Sequence, residues 1–173
     1  MEKIEKWFID NRATFNADWF EFLRFPSVGT DPAHLTDCVN CATWLKTWLE
    51  KSGFSVSFLG ATDRPPVVYA TRPGDDSASR KVLLYGHYDV QPADPLNEWV
   101  TDPWSPTVRG DRVYARGAND DKGQIWPALQ AIRACIDTGT PLPALTLVLD
   151  GQEESGSDEL MRLITTQPAL FKS

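Results

Sequence analysis

The amino-acid sequence predicts an α/β domain of three layers, helix on sheet on helix, with a mixed and mostly parallel sheet. Three observations lead there. Amphipathic helical segments and short apolar runs alternate along the chain. One run, Leu145-Thr146-Leu147-Val148-Leu149, is apolar almost throughout, the pattern of a central strand covered on both faces. Polar clusters rich in His, Asp and Glu follow the apolar runs, and open α/β sheets gather their ligands outside the carboxyl ends of strands.

Taken in order, residues 3–24 place Ile4, Trp7, Phe8, Phe15, Trp19, Phe20 and Leu23 at helical spacing, and Pro26 stops that helix. A second helix starts near Asp31-Pro32, where proline suits the first turn, and runs to the stop signal at Gly53. Strands are expected over 54–59 and 67–71, then a loop over 72–77. A buried strand over 81–86 leads into a long polar connection carrying Pro92, Pro95, Pro103 and Pro106, and loops of that length inside a domain are usually functional. Residues 108–115 resemble a hairpin around Gly110-Asp111. A helix is predicted over 123–137, a turn over 139–143, the central strand over 145–149 and a short helix after Ser157.

At 173 residues, with 42% hydrophobic and 11% aromatic side chains, the chain can build one real core. A net charge of −7 without a basic run excludes a nucleic-acid partner. No stretch approaches the roughly 20 apolar residues of a membrane helix. The segment Met1-Glu2-Lys3-Ile4-Glu5-Lys6-Trp7 has neither an apolar core nor a cleavage site, so a cytoplasmic setting is expected. Three cysteines make no disulfide framework. Cys38 and Cys41 lie in a helical stretch with no second pair to complete a zinc site, and are expected to pack one helix face.

Chemistry concentrates in three places. In Gly86-His87-Tyr88-Asp89-Val90-Gln91-Pro92, His87 and Asp89 stand where a strand stops, and residues two apart in extended chain face the same way. A carboxylate beside a metal-bound histidine fixes its tautomer and raises its basicity. Ala118-Asn119-Asp120-Asp121-Lys122-Gly123 opens the third helix, where Asn or Asp also serves as an N-cap. Asp150-Gly151-Gln152-Glu153-Glu154-Ser155-Gly156-Ser157 follows the central strand, and its adjacent carboxylates repel unless a cation or a raised pKa intervenes. A histidine, an aspartate and a glutamate on separate strand ends are ligands that zinc accepts, and the remaining glutamate can take a proton from water. That combination points to metal-assisted hydrolysis of an amide.

Gly-His-Tyr-Asp-Val-Gln-Pro at 86–92, Ala-Arg-Gly-Ala-Asn-Asp-Asp-Lys-Gly at 115–123 and Gly-Gln-Glu-Glu-Ser-Gly-Ser at 151–157 resemble the three signatures of one family. It is the co-catalytic dizinc peptidase family of carnosinase-like dipeptidases, glutamate carboxypeptidases, aminoacylases and desuccinylases. The order, the spacing and Trp99-Val100-Thr101-Asp102-Pro103-Trp104 between the motifs also fit, most closely to the dipeptidase and carboxypeptidase branch. The resemblance implies a zinc-peptidase-like αβα fold acting on small peptides or N-acyl amino acids. It implies that His87 binds one zinc, Asp120 bridges both and Glu154 binds the other. Glu153 would be the general base that activates the bridging water, Asp89 would orient His87, and the Asp120–Asp121 peptide would be cis. Cobalt or manganese suits the same nitrogen and oxygen ligands.

Members of that family are longer, with a catalytic domain interrupted by a lid or dimerisation domain. Residues 1–173 would then be the N-terminal portion of a truncated catalytic domain. Its ligand set would be incomplete, lacking a carboxylate beyond Ser173 and a late histidine. His34, the only other histidine, is set aside as a substitute. Two readings follow: part of a metal-dependent hydrolase, itself inactive or weakly active, or a non-catalytic metal-binding or association module that keeps the fold. Unpaired sheet edges would favour self-association or pairing with a complementing fragment. A nucleotide-binding α/β protein is disfavoured, because no Gly-x-Gly-x-x-Gly follows a strand.

Overall fold

The computed structural model describes residues 2–75 and 80–172, so Asp76 and Ser77 of the expected 72–77 loop lie outside the described residues. Helix α1 spans Glu2–Leu23 and helix α2 spans Leu35–Lys51. A short 3₁₀ turn precedes α2, where the Asp31 side chain accepts the Ala33 amide at 2.9 Å. Strands β1 (Ser55–Leu59), β2 (Val67–Arg72) and β3 (Lys81–His87) follow. Next come the hairpin of β4 (Thr107–Arg109) and β5 (Arg112–Tyr114), then helix α3 (Lys122–Thr138). Strand β6 (Ala144–Asp150) and helix α4 (Asp158–Thr166) complete the order that the hydrophobic periodicity predicts.

The main sheet has the order β1-β2-β6-β3 and is mixed, as expected. Its balance is different from the one expected. Among the described residues β1–β2 and β2–β6 are antiparallel, and β3–β6 alone in this sheet is parallel. Connection length accounts for the β1–β2 and β3–β6 pairings. Residues 60–66 are too few for the crossover of a dozen or more residues that a parallel pair needs, whereas the chain from β3 to β6 passes through α3.

Three layers result. Alternation along β6 sends Leu145, Leu147 and Leu149 into a core with Phe22, Leu45, Leu49, Trp126 and Leu129 of the first three helices. Val148 faces the other way and packs with Val67, Leu160 and Leu163 beneath α4. β6 is thus covered on both faces. Cys38 and Cys41 are fully buried in the larger core as packing side chains, and burial pushes the Cys38 thiol up to about 12. Among the described residues β3 pairs on one side only, and its Val82 and Tyr85 are 41% and 48% exposed.

Candidate metal centre

Parallel pairing of β3 with β6 sets His87 opposite Asp150, so both strands deliver their carboxyl ends to one edge of the sheet. The chain continues from β3 beside that edge, with the Tyr88 amide donating to the Asp150 carbonyl at 2.9 Å. The segment after α1 closes the other flank. Ser27 donates its hydroxyl to the Tyr88 carbonyl at 2.7 Å, and its own carbonyl accepts the Val90 amide at 2.9 Å. Helix α3 approaches over Gly86, where an added Cβ would strike the Ile125 side chain. Glycine at that position allows the helix to seat against the strand.

Helix α3 begins directly after a cis Asp120–Asp121 peptide, as the resemblance implies. Asp121 occupies the N-cap position but makes no capping bond with its side chain. Its carboxylate instead accepts the His87 amide at 3.0 Å, which ties the loop to the end of β3. Burial raises the Asp121 pKa, and the His87 amide opposes that rise.

His87 is at the centre of the cluster, with a side chain only 8% exposed. Its Nε2 lies 3.1 Å from Asp120 Oδ1 and 3.7 Å from Glu153 Oε2. Its Nδ1 lies 3.1 Å from the Asp89 carbonyl and 3.4 Å from the Asp89 carboxylate. Asp89 therefore touches the ring through both its backbone and its side chain, the backbone contact being the closer. Burial pushes the imidazole pKa down, but the Asp89 carboxylate and the Asp121 charge outweigh it and hold His87 at about 9. Asp120 and Glu153 keep 67% and 43% of their side-chain surface exposed. Glu154 turns toward the post-strand loop and accepts Gln91 Nε2 at 2.7 Å.

Two sets of side chains bring possible ligand atoms within 4.8 Å of one another: His87 with Asp120 and Asp121, and His87 with Glu153 and Glu154. His87 belongs to both. The geometry therefore collects His87, Asp89, Asp120, Glu153 and Glu154 at one place. It leaves His34 elsewhere, at the start of α2, with its Nδ1 2.7 Å from Asp37. Sequence reasoning missed the Asp121 anchor and the Gln91 partner of Glu154. The only signal for the first was the aspartate doublet itself. Several carboxylates around one buried imidazole form a hard, acceptor-rich donor set, which fits zinc and similar divalent ions.

Comparisons with known proteins point to one family. The model of "Peptidase family M20/M25/M40" matches residues 83–171, which include all three clusters. The cysteinylglycine-S-conjugate dipeptidase of Corynebacterium striatum is 32% identical over 163 residues, covering 93% of this chain and 35% of that protein. The human Beta-Ala-His dipeptidase is 37% identical over 110 residues, covering 63% of this chain and 22% of that protein. The crystal structure of human carnosine dipeptidase 1 superposes with a TM-score of 0.90 at 26% identity, over 98% of this chain and 38% of that one. A metallo-carboxypeptidase from Sulfolobus solfataricus gives 0.81 at 34% identity, over 92% of this chain and 35% of that one. The chain thus spans about a third of the length of the relatives that it matches over most of its own length.

Proposed function

Since the chain belongs to peptidase family M20/M25/M40, we propose that it is part of a metal-dependent hydrolase of dipeptides, C-terminal peptide bonds or N-acyl amino-acid amides. The supporting observation is the position of the His87 ring, 3.1 Å from Asp120 and 3.7 Å from Glu153 at the shared end of β3 and β6. His87, Asp120 and Glu154 would hold zinc, two ions in the complete family site, with cobalt or manganese able to replace it. Bound there, the metal would polarise the scissile carbonyl and lower the pKa of water.

The protein's own residues supply the rest. Glu153 takes the proton of the attacking water and passes it to the departing amine. Asp89 orients the His87 ring: its carbonyl and carboxylate both face Nδ1, which leaves Nε2 directed at the site. Asp121 holds the Asp120 loop against β3.

The domain assignment belongs to the same proposal: residues 1–173 are the N-terminal portion of a catalytic domain whose lid and remaining ligands lie outside them. The span of about a third of the relatives' length supports it. A cytoplasmic setting is also proposed; among the described residues no helix is long and apolar enough to cross a membrane. The second reading, a metal-binding or association module without turnover, is favoured by the one-sided pairing of β3 among the described residues. Incubating the chain with zinc, cobalt or manganese and with Cys-Gly or β-Ala-His separates the two. Metal-dependent amine release supports the hydrolase. Saturable metal uptake without release supports the module.

A further inference from the structure

Lysine is rarely buried without a partner for its charge. Lys122, the first residue of α3, is nevertheless fully buried. Its Nζ donates to the Phe22 carbonyl at 3.1 Å and to the Phe25 carbonyl at 2.8 Å, and sits 5.1 Å from the centre of the Phe22 ring. Phe22 is in the last turn of α1, which contains no basic residue of its own. Carbonyls at a helix end lack partners within the helix and carry partial negative charge, so an ammonium group there is well placed. A residue from a distant segment supplies that group.

The two ends of this link both border the metal centre. On one side, Phe25 leads into Ser27, which is hydrogen-bonded to Tyr88 and Val90 around Asp89. On the other, Lys122 directly follows Asp120 and Asp121, and Asp121 holds the His87 amide. We infer that Lys122 is a positioning residue, a strut between the end of α1 and the start of α3 that fixes the Asp120–Asp121 loop against His87. It touches neither substrate nor reacting atoms. Its consequence for metal binding rests on the metal-centre reading above, whereas its effect on the loop does not.

Amide hydrogen exchange on the whole chain tests the strut without metal. In Lys122→Met the His87 amide, which depends on Asp121, should exchange about tenfold faster relative to the Leu147 and Leu149 amides of the central strand. Zinc affinity should fall by about tenfold, within the range for lost supporting contacts. Where Lys122→Met does not fold, Lys122→Gln, which keeps a donor on a shorter arm, should show the same selective loss at His87. A lysine that only stabilises the fold would speed all three amides by a common factor, and that result, or an unchanged His87 amide, overturns the inference. If the unaltered chain takes up no zinc, the metal-centre reading fails, and the exchange pattern still decides the strut.

Discussion

The Asp89 carboxylate accepts the Glu154 amide through one oxygen at 3.1 Å and the Glu153 amide through the other at 3.2 Å. The residue expected to orient His87 therefore also splints the turn that carries both glutamates. It is fully buried, and Gly29 packs so closely that a Cβ there would lie 2.5 Å from Asp89 Oδ2. Asp89→Asn replaces an acceptor oxygen with a donor facing an amide. It should lower stability by about 1–3 kcal/mol in a urea melt and weaken zinc binding by roughly 10–100-fold.

Glu153 and Glu154 are neighbours with different surroundings. Glu154 is bonded to Gln91, while Glu153 faces the His87 ring. If turnover is present, Glu153→Gln should reduce it by about 10²–10⁴-fold with zinc content almost unchanged, as measured by dipeptide hydrolysis and metal analysis. Loss of metal together with activity would make Glu153 a ligand instead of the base.

Acid should weaken the seam between α4 and the turn before β2. Buried Glu159 accepts Arg162 Nε and the Ala61 amide, both at 3.1 Å. The Arg162 hydrogen bond holds its carboxyl below the usual 4.5. A lowered folded pKa contributes stability above the unfolded value, and that contribution disappears as pH falls through the folded one. Glu159→Gln should therefore cost about 1 kcal/mol at pH 7, and the difference between variant and parent should shrink steadily below pH 4.5.

Among the described residues one side of β3 has no strand partner, and this predicts association. Val82 and Tyr85 lie exposed on that strand, and Met161 and Ile164 lie exposed on α4. Unpaired edges beside apolar side chains template pairing with other chains. Sedimentation velocity should show a mass that rises with concentration, and Tyr85→Lys should reduce that rise. A clean monomer at all concentrations contradicts the prediction.

Much of this architecture was legible in the residues because burial leaves a period. β6 is apolar over most of its length and is covered on both faces, and α1 through α4 begin and end within a few residues of their start and stop signals. Strand direction was less legible, since apolar runs have no polarity, although the short 60–66 connection held the clue for β1 and β2. The clusters after β3 and β6 and at the start of α3 marked His87, Asp120, Glu153 and Glu154, because carboxylates crowded together are costly without a use. Lys122 gave no such sign. A lysine scans as solvent-exposed, and its partners are backbone carbonyls about a hundred residues earlier, which no side-chain pattern can announce.

The central claim is that one imidazole and the acidic loops around it form a cation site. Calorimetric titration with zinc at pH 7.5 on the parent chain, His87→Gln and Asp120→Asn tests it directly. The account predicts saturable uptake by the parent and at least a tenfold loss of affinity in each variant. Absent uptake by the parent, or equal uptake by all three chains, would contradict it.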